Sequence, residues 1–358
     1  MRRIFKTHYN QDIDLFRDGI DRNIYCGLLV ILLLLPLSVG SFWLGEISYA
    51  LILSITSVGL MLLTGFAGQV SIGHGAFVGI GAYANAVLLT SGLPLPLSII
   101  GAVVISTLVG ALLGYPALRL SGLYLAMATL AFTFIVEHVF VHWESMTGGF
   151  GGMSVPAGVI LNYSIMEGVS FYYLCLLSAV GALLLARNIL RSPTGRAFVS
   201  IRDSEVAAQS MGVNLASKKT TAFALSAGFA GLSGALLAHR IGSLAPDAFG
   251  VLLSIQLLLM VVVGGLGSLH GAIFGAIFVS MLPQIIAVFR DTLPDSLAQQ
   301  PGLEPGLFGA ILVAFVLFEP AGINGRWQKV KAYFAHFPMH RKATFRRQKN
   351  FTKSERFR

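Results

Sequence analysis

Residues 195–219 read GRAFVSIRDSEVAAQSMGVNLASKK, a polar passage with apolar runs pressing in on both sides. It carries Arg196, Arg202, Lys218 and Lys219 together with Asp203 and Glu205, in a chain whose charged share is only 11%. Ser204 is a helix N-cap by type, Glu205 places a negative charge on the first turn, and Gly212 stands where a left-handed residue ends a helix. This spacing predicts about two helical turns, with Ala207 and Met211 on one face and Ser210 near Val206 on another. Two turns cannot cross a bilayer and are marginal alone in water, so such a helix needs a surface to lean on.

The flanking sequence is of another kind. The chain is 55% hydrophobic, with a mean hydropathy of +0.76; a soluble domain has about a quarter of its residues charged. Apolar runs of about 20 residues match the ~30 Å hydrocarbon layer. Backbone groups in lipid must be satisfied within the segment, and the runs lack the alternation that a barrel needs. The sequence therefore predicts an all-α polytopic membrane protein with about ten transmembrane helices, some short or discontinuous, and a short cytoplasmic helix. Spans are expected at about 24–44, 47–66, 74–90, 97–115, 121–141, 169–187, 220–239, 252–268, 270–288 and 305–319. The 40 glycines suit helices that approach closely in lipid. Cys26 and Cys175 lie in apolar runs without CxxC spacing and read as packed hydrophobes.

Charge orders these spans. Eleven of the 25 Lys and Arg residues fall between Arg326 and Arg358 with one acid, Glu355, so the high pI belongs to the tail. With the N-terminus inside, 23 of the 25 lie on cytoplasmic segments, leaving Arg240 and Arg290 outside with acids such as Glu46, Glu144 and Asp247. Both termini are then cytoplasmic. Three regions follow: a polar segment 1–23, too long and acidic for a cleaved signal; a membrane domain 24–320 with its polar loop at about 188–219; and a basic tail 321–358. Beside a span, that tail suits anionic membrane lipid better than nucleic acid, and no nucleic-acid partner is expected.

Few residues offer chemistry. Gln69, Ser71 and His74 stand among glycines at a span end; facing lipid they would be costly, so they line either a translocation path or a helix–helix contact. Tyr124 and Thr129 on the fifth span are further path candidates, although threonine also bonds to its own helix and tyrosine anchors interfaces. His138 and His142 share a helix face, but the pattern His-Glu-x-x-His is absent and no third ligand is near, so no metal is assigned. No phosphate-binding loop occurs, so no bound nucleotide or other cofactor is expected, and no catalytic cluster is visible. The span centres lack the acid that a proton-coupled carrier would need. GFAGQVSIGHGA (65–76) and GGLGSLHGA (264–272) echo each other, as halves of a repeat or as chance likeness among glycine-rich helices.

Several stretches then align in order: GLMLLTGFAGQVSIGHGAFVGIGAYA (59–84), SGLYLAMATLAF (121–132), MTGGFGGMSVP (146–156), the polar passage itself, GFAGLSGALLA (228–238) and VVGGLGSLHGAIFGA (262–276). Together these resemble the branched-chain amino acid ABC transporter permeases, the LivM-type subunit, over roughly residues 24–320. The first 23 residues and the basic tail are outside the likeness, and Phe150-Gly151-Gly152 departs from it in the outer loop. The polar passage resembles the family's coupling loop: Ala207, Ala208 and Gly212 keep its spacing, while Val206 replaces the usual glutamate and Glu205 is displaced by one. The resemblance implies a bacterial inner-membrane subunit that is not itself an enzyme. It implies a second related permease, two cytoplasmic ATPases that use ATP and Mg, and a periplasmic solute-binding protein. Arg202, Asp203 and Glu205 are expected to make polar contacts with an ATPase, and Ala207, Ala208 and Gly212 to allow close packing. Leucine, isoleucine and valine are the expected cargo; urea or short amides are the alternative within the family, and a stand-alone ion-coupled transporter is the alternative outside it.

Overall fold

The computed structural model describes residues 19–116, 120, 122–156, 158–160, 163–164, 168–290, 302–319 and 321–336. Most of the N-terminal polar segment, Arg119 and the tail beyond residue 336 lie outside the described residues.

The described chain is a bundle of helices. In order these are α1 (Gly19–Leu34), α2 (Ser41–Leu60), α3 (His74–Thr90), α4 (Leu95–Gly114), α5 (Leu123–His142) and α6 (Val169–Arg191). Then come α7 (Pro193–Asp203), α8 (Glu205–Ser210), α9 (Leu215–Ile241), α10 (Val251–Gly264), α11 (Leu269–Arg290), α12 (Leu303–Phe318) and α13 (Gly322–His336). Among the described residues, seven helices are long and apolar enough to cross a membrane, and the pair α12 and α13, bent by 51°, makes an eighth if taken as one span. Tyr25–Leu37 and His74–Thr90 are apolar but shorter. The chain is an all-α, multi-pass membrane protein.

Two helices form the centre. α9 and α2 are the most deeply enclosed of the spans, and α9 packs against α2, α3 and α4. The sequence of α9 explains how. A Cβ added at Gly234 would stand 2.0 Å from the Val78 carbonyl oxygen on α3, and one at Gly231 2.5 Å from Ser106 on α4. Across the same seam, a Cβ at Gly81 would meet the Gly231 carbonyl at 2.4 Å and one at Gly110 the Ala227 methyl at 2.3 Å. Lipid offers no hydrophobic drive between helices, so backbone-to-backbone proximity supplies the dispersion contact instead. Ser233 donates to the Ile52 carbonyl at 2.9 Å and Ser57 to the Ala272 carbonyl at 3.0 Å. Such interhelical bonds contribute about 0.6 kcal/mol each.

The bundle has two unlike ends. One carries α7 and α8. The other carries a two-residue strand pair, with Met153 opposite Leu244, and the ion pair Arg240–Glu46 at 3.6 Å.

Several expected boundaries move. The break between the first two spans falls at residues 38–40, not near 45–46: Pro36 sits in a 3-10 turn (Leu35–Leu37) and Gly40 is extended. Glu46, read as a loop acid, is helical and answers Arg240 across the bundle. The expected single-residue gap between the eighth and ninth spans is a four-residue turn, 265–268, with Gly265 and Gly267 at φ 102° and 82°. α9 begins five residues early, because Asn214 caps it by accepting from Ser217 N at 3.1 Å. The first part of the tail is helical as α13.

Candidate functional site

The polar passage folds as two helices, one more than its spacing predicts. Ser192 accepts a bond from Gly195 N and Pro193 follows at the first helical position, which starts α7. The second helix, α8, is built as read. Ser204 accepts from Ala207 N at 3.3 Å, Glu205 occupies the first turn, and Gly212 has φ 83°.

The surface on which α8 leans is its own chain. Glu205 pairs with Lys219 Nζ at 2.7 Å, and Lys219, at the start of α9, is buried. Ala208 is buried on the same side, whereas Ala207 is exposed. The opposite side presents Val206 and Met211, 77% and 87% exposed, beside an open Gly212 whose absent Cβ would meet nothing within 4 Å. Of the residues expected to face a partner, Gly212 is exposed and open, while Arg202, Asp203 and Glu205, all exposed, are engaged in ion pairs within the chain. Val206 and Met211, which motif matching leaves aside, are the side chains that stand out.

Arg202 is bound on two sides. Its Nε and Nη2 donate to Asp203 Oδ1 at 3.1 and 2.9 Å, and Nη1 donates to the Gly65 carbonyl at 3.2 Å. Gly65 belongs to a wide π turn, Met61–Phe66, that ends α2; there Ala67 N bonds to the Leu62 carbonyl at 3.0 Å. π turns inside spans occur often at functional positions.

That turn leads directly to a buried polar cluster. His74 Nδ1 is hydrogen-bonded to Ser71 Oγ at 2.9 Å and its Nε2 to Ser226 Oγ on α9 at 2.6 Å. Thr129 on α5 accepts from Ile72 N at 3.0 Å while donating to its own helix at the Ala126 carbonyl, 2.9 Å. Gln69, 4% exposed, differs from these neighbours. Its main chain is held, N–H to the Leu63 carbonyl at 3.0 Å and carbonyl to Thr64 Oγ1 at 3.1 Å, yet neither side-chain amide atom has a partner. A buried unpaired polar group costs about 1–3 kcal/mol. So the structure brings Ser71, His74 and Thr129 together with Ser226, and Gln69 precedes them in the chain with its side chain buried and unpaired. Tyr124 is not among them: it is 69% exposed on the outer face of α5. The rings of His138 and His142 lie 3.9 Å apart, and among the described residues no three His, Cys, Asp or Glu side chains are grouped to hold a metal ion.

The chain is thus a bundle of apolar helices with two short polar helices at one end and a buried polar cluster behind them. Residues 44–316 match the family described as branched-chain amino acid transport system / permease component, and the chain belongs to that family. It is 35% identical to the high-affinity branched-chain amino acid transport system permease protein LivM of Salmonella typhimurium, over 67% of this chain and 63% of that one. The Escherichia coli LivM is 34% identical with the same coverage. The autoinducer 2 import system permease protein LsrC of an Enterobacter species is 29% identical over 63% of each chain. The chain thus spans less than two thirds of the length of these relatives. No solved structure matches it.

Proposed function

We propose that this chain is the membrane-spanning permease subunit of an ABC importer, moving leucine, isoleucine and valine by alternating access as partner ATPases close and open. One observation carries the reading: α8 is braced from behind by Glu205–Lys219 and offers Val206, Met211 and an open Gly212 in front. A helix held this way receives force without melting. An ATPase seats on that face, one of two that use ATP and Mg on the cytoplasmic side, where the lysine and arginine bias puts this end and both termini. A second, related permease covers the exposed stripe Leu97, Ile100, Val104, Leu108 and Leu112 on α4, and a periplasmic binding protein delivers solute. The membrane is the bacterial inner membrane, with anionic lipid against the basic tail.

The Gln69 amide supports a solute path through the His74 cluster. A buried amide with a free donor and a free acceptor matches a zwitterionic amino acid. The autoinducer permease relatives favour a second reading of cargo alone, in which another small polar solute such as urea or a short amide takes the same path.

The test is reconstitution with the partner subunits. Vanadate-sensitive leucine uptake that outcompetes urea is expected. A photoreactive label at Val206→Cys, placed in a Cys26→Ser background because Cys26 is exposed, should cross-link to an ATPase. Gly212→Val should abolish uptake while leaving membrane insertion intact. Uptake by the chain alone, driven by an ion gradient, would overturn the proposal.

A further inference from the structure

Arg202 does more than face a partner. Its side chain bridges the two glycine-broken turns of the bundle. The first is the end of α2, where Nη1 bonds to the Gly65 carbonyl and a Cβ at Gly68 would stand 3.0 Å from Arg202 Cγ. The second is the turn between α10 and α11, where a Cβ at Gly267 would stand 3.4 Å from Nη1. The two turns also touch each other: Gly267 N donates to Met61 Sδ at 3.3 Å, and a Cβ at Gly65 would lie 2.8 Å from Gly267 N. Asp203 holds the guanidinium from the far side through one carboxylate oxygen.

We infer that Arg202 is the positioning residue that transmits displacement of α7 and α8 to both turns together, and through the first of them to Gln69. Three physical points support this. A planar guanidinium, held at two edges at once, resists rotation in a way that an ammonium on a flexible stem does not. At Gly68 the absent Cβ lets the Arg202 stem lie close to the turn backbone, since a Cβ there would stand 3.0 Å from Cγ and 3.2 Å from Cα, while at Gly267 the guanidinium is in ordinary van der Waals contact. And the path onward is short: the π turn that contains Gly65 closes on Gln69 through Thr64 Oγ1 and on Ala67 through the Leu62 carbonyl. The same turn precedes the His74 cluster, so the docking end and the candidate solute path share a joint. The inference rests on the coupling role proposed for α8, since a strut needs a push.

The experiment uses the assembled importer in a Cys26→Ser background, with spin labels at Val70→Cys and Leu266→Cys, one on each turn and both exposed. In the parent, trapping with ATP and vanadate is expected to shift the distance between labels. Arg202→Ala should remove that shift and lower uptake roughly 5–150-fold, the usual range of a coupling loss, with ATP hydrolysis held within about two-fold of the parent. Arg202→Lys keeps the charge and loses the fork; it should fall between the two, and it serves as the readout if the alanine variant does not insert. A residue that merely stabilised the fold would lower hydrolysis and uptake together. If the variants shift the labels as the parent does, the strut is overturned while the coupling role stands. A parent that recruits no ATPase overturns the coupling role and the strut with it.

Discussion

Gln69 buries a primary amide whose two polar atoms bond to nothing, whereas the polar side chains of Ser71, His74 and Thr129, which follow the same turn or pack on it, are all engaged. On the solute path proposed above, this contrast makes Gln69 the residue to test first. Gln69→Leu removes an unmet demand and keeps the volume nearly constant, so thermal stability in detergent should hold or rise by up to ~1 kcal/mol. Uptake should nevertheless be lost. A variant that melts markedly earlier would assign Gln69 to packing. From the sequence, Gln69, Ser71 and His74 were visible as polar residues at a broken span, because lipid makes any such residue conspicuous. Which of the three is unsatisfied depends on Ser226, some 150 residues away, and spacing along a chain does not report that. Tyr124 shows the same limit from the other side: its position on α5 is legible, but its outward direction is set by how α5 packs.

Among the elements, α8 was the most legible, since cap, first-turn acid and terminal glycine all act within a few residues. α7 escaped, although Ser192-Pro193 is a start signal of the same local kind, because that signal lies just before the polar passage, whose most conspicuous cap is Ser204. The brace beneath α8 makes an ordered prediction. Glu205→Gln leaves the buried Lys219 charge unanswered and should cost roughly 1–3 kcal/mol, less than the ~3–5 of a fully enclosed pair because Glu205 is near half exposed. Lys219→Met leaves Glu205 facing solvent and should cost under ~1 kcal/mol. Melting temperatures of the two variants should rank in that order. The reverse order would mean that the pair does not hold α8 in place.

At the scale of the whole molecule, hydropathy and charge were enough to give a helical membrane bundle, since both follow from burial cost alone. The joints were less legible: Glu46 looked like a loop residue because its partner, Arg240, lies almost 200 residues on. The seam around α9 should be intolerant in a position-specific way. Gly234→Val pushes side-chain atoms into the Val78 backbone and should cost more than the ~1–3 kcal/mol typical of overpacking, since backbone cannot step aside. Gly181→Val on α6, with nothing within 4 Å, should be neutral. Size-exclusion profiles and expression in the membrane fraction would distinguish them.

The π turn at the foot of α2 holds more residues per revolution than an ordinary helix, which amounts to stored slack in an otherwise taut bundle. Taking up that slack by one residue would swivel whatever follows through about 100° and draw it about 1.5 Å along the axis. Because the amide of Gln69 follows, a small tug at the foot of one helix would become a change in the direction in which that amide points.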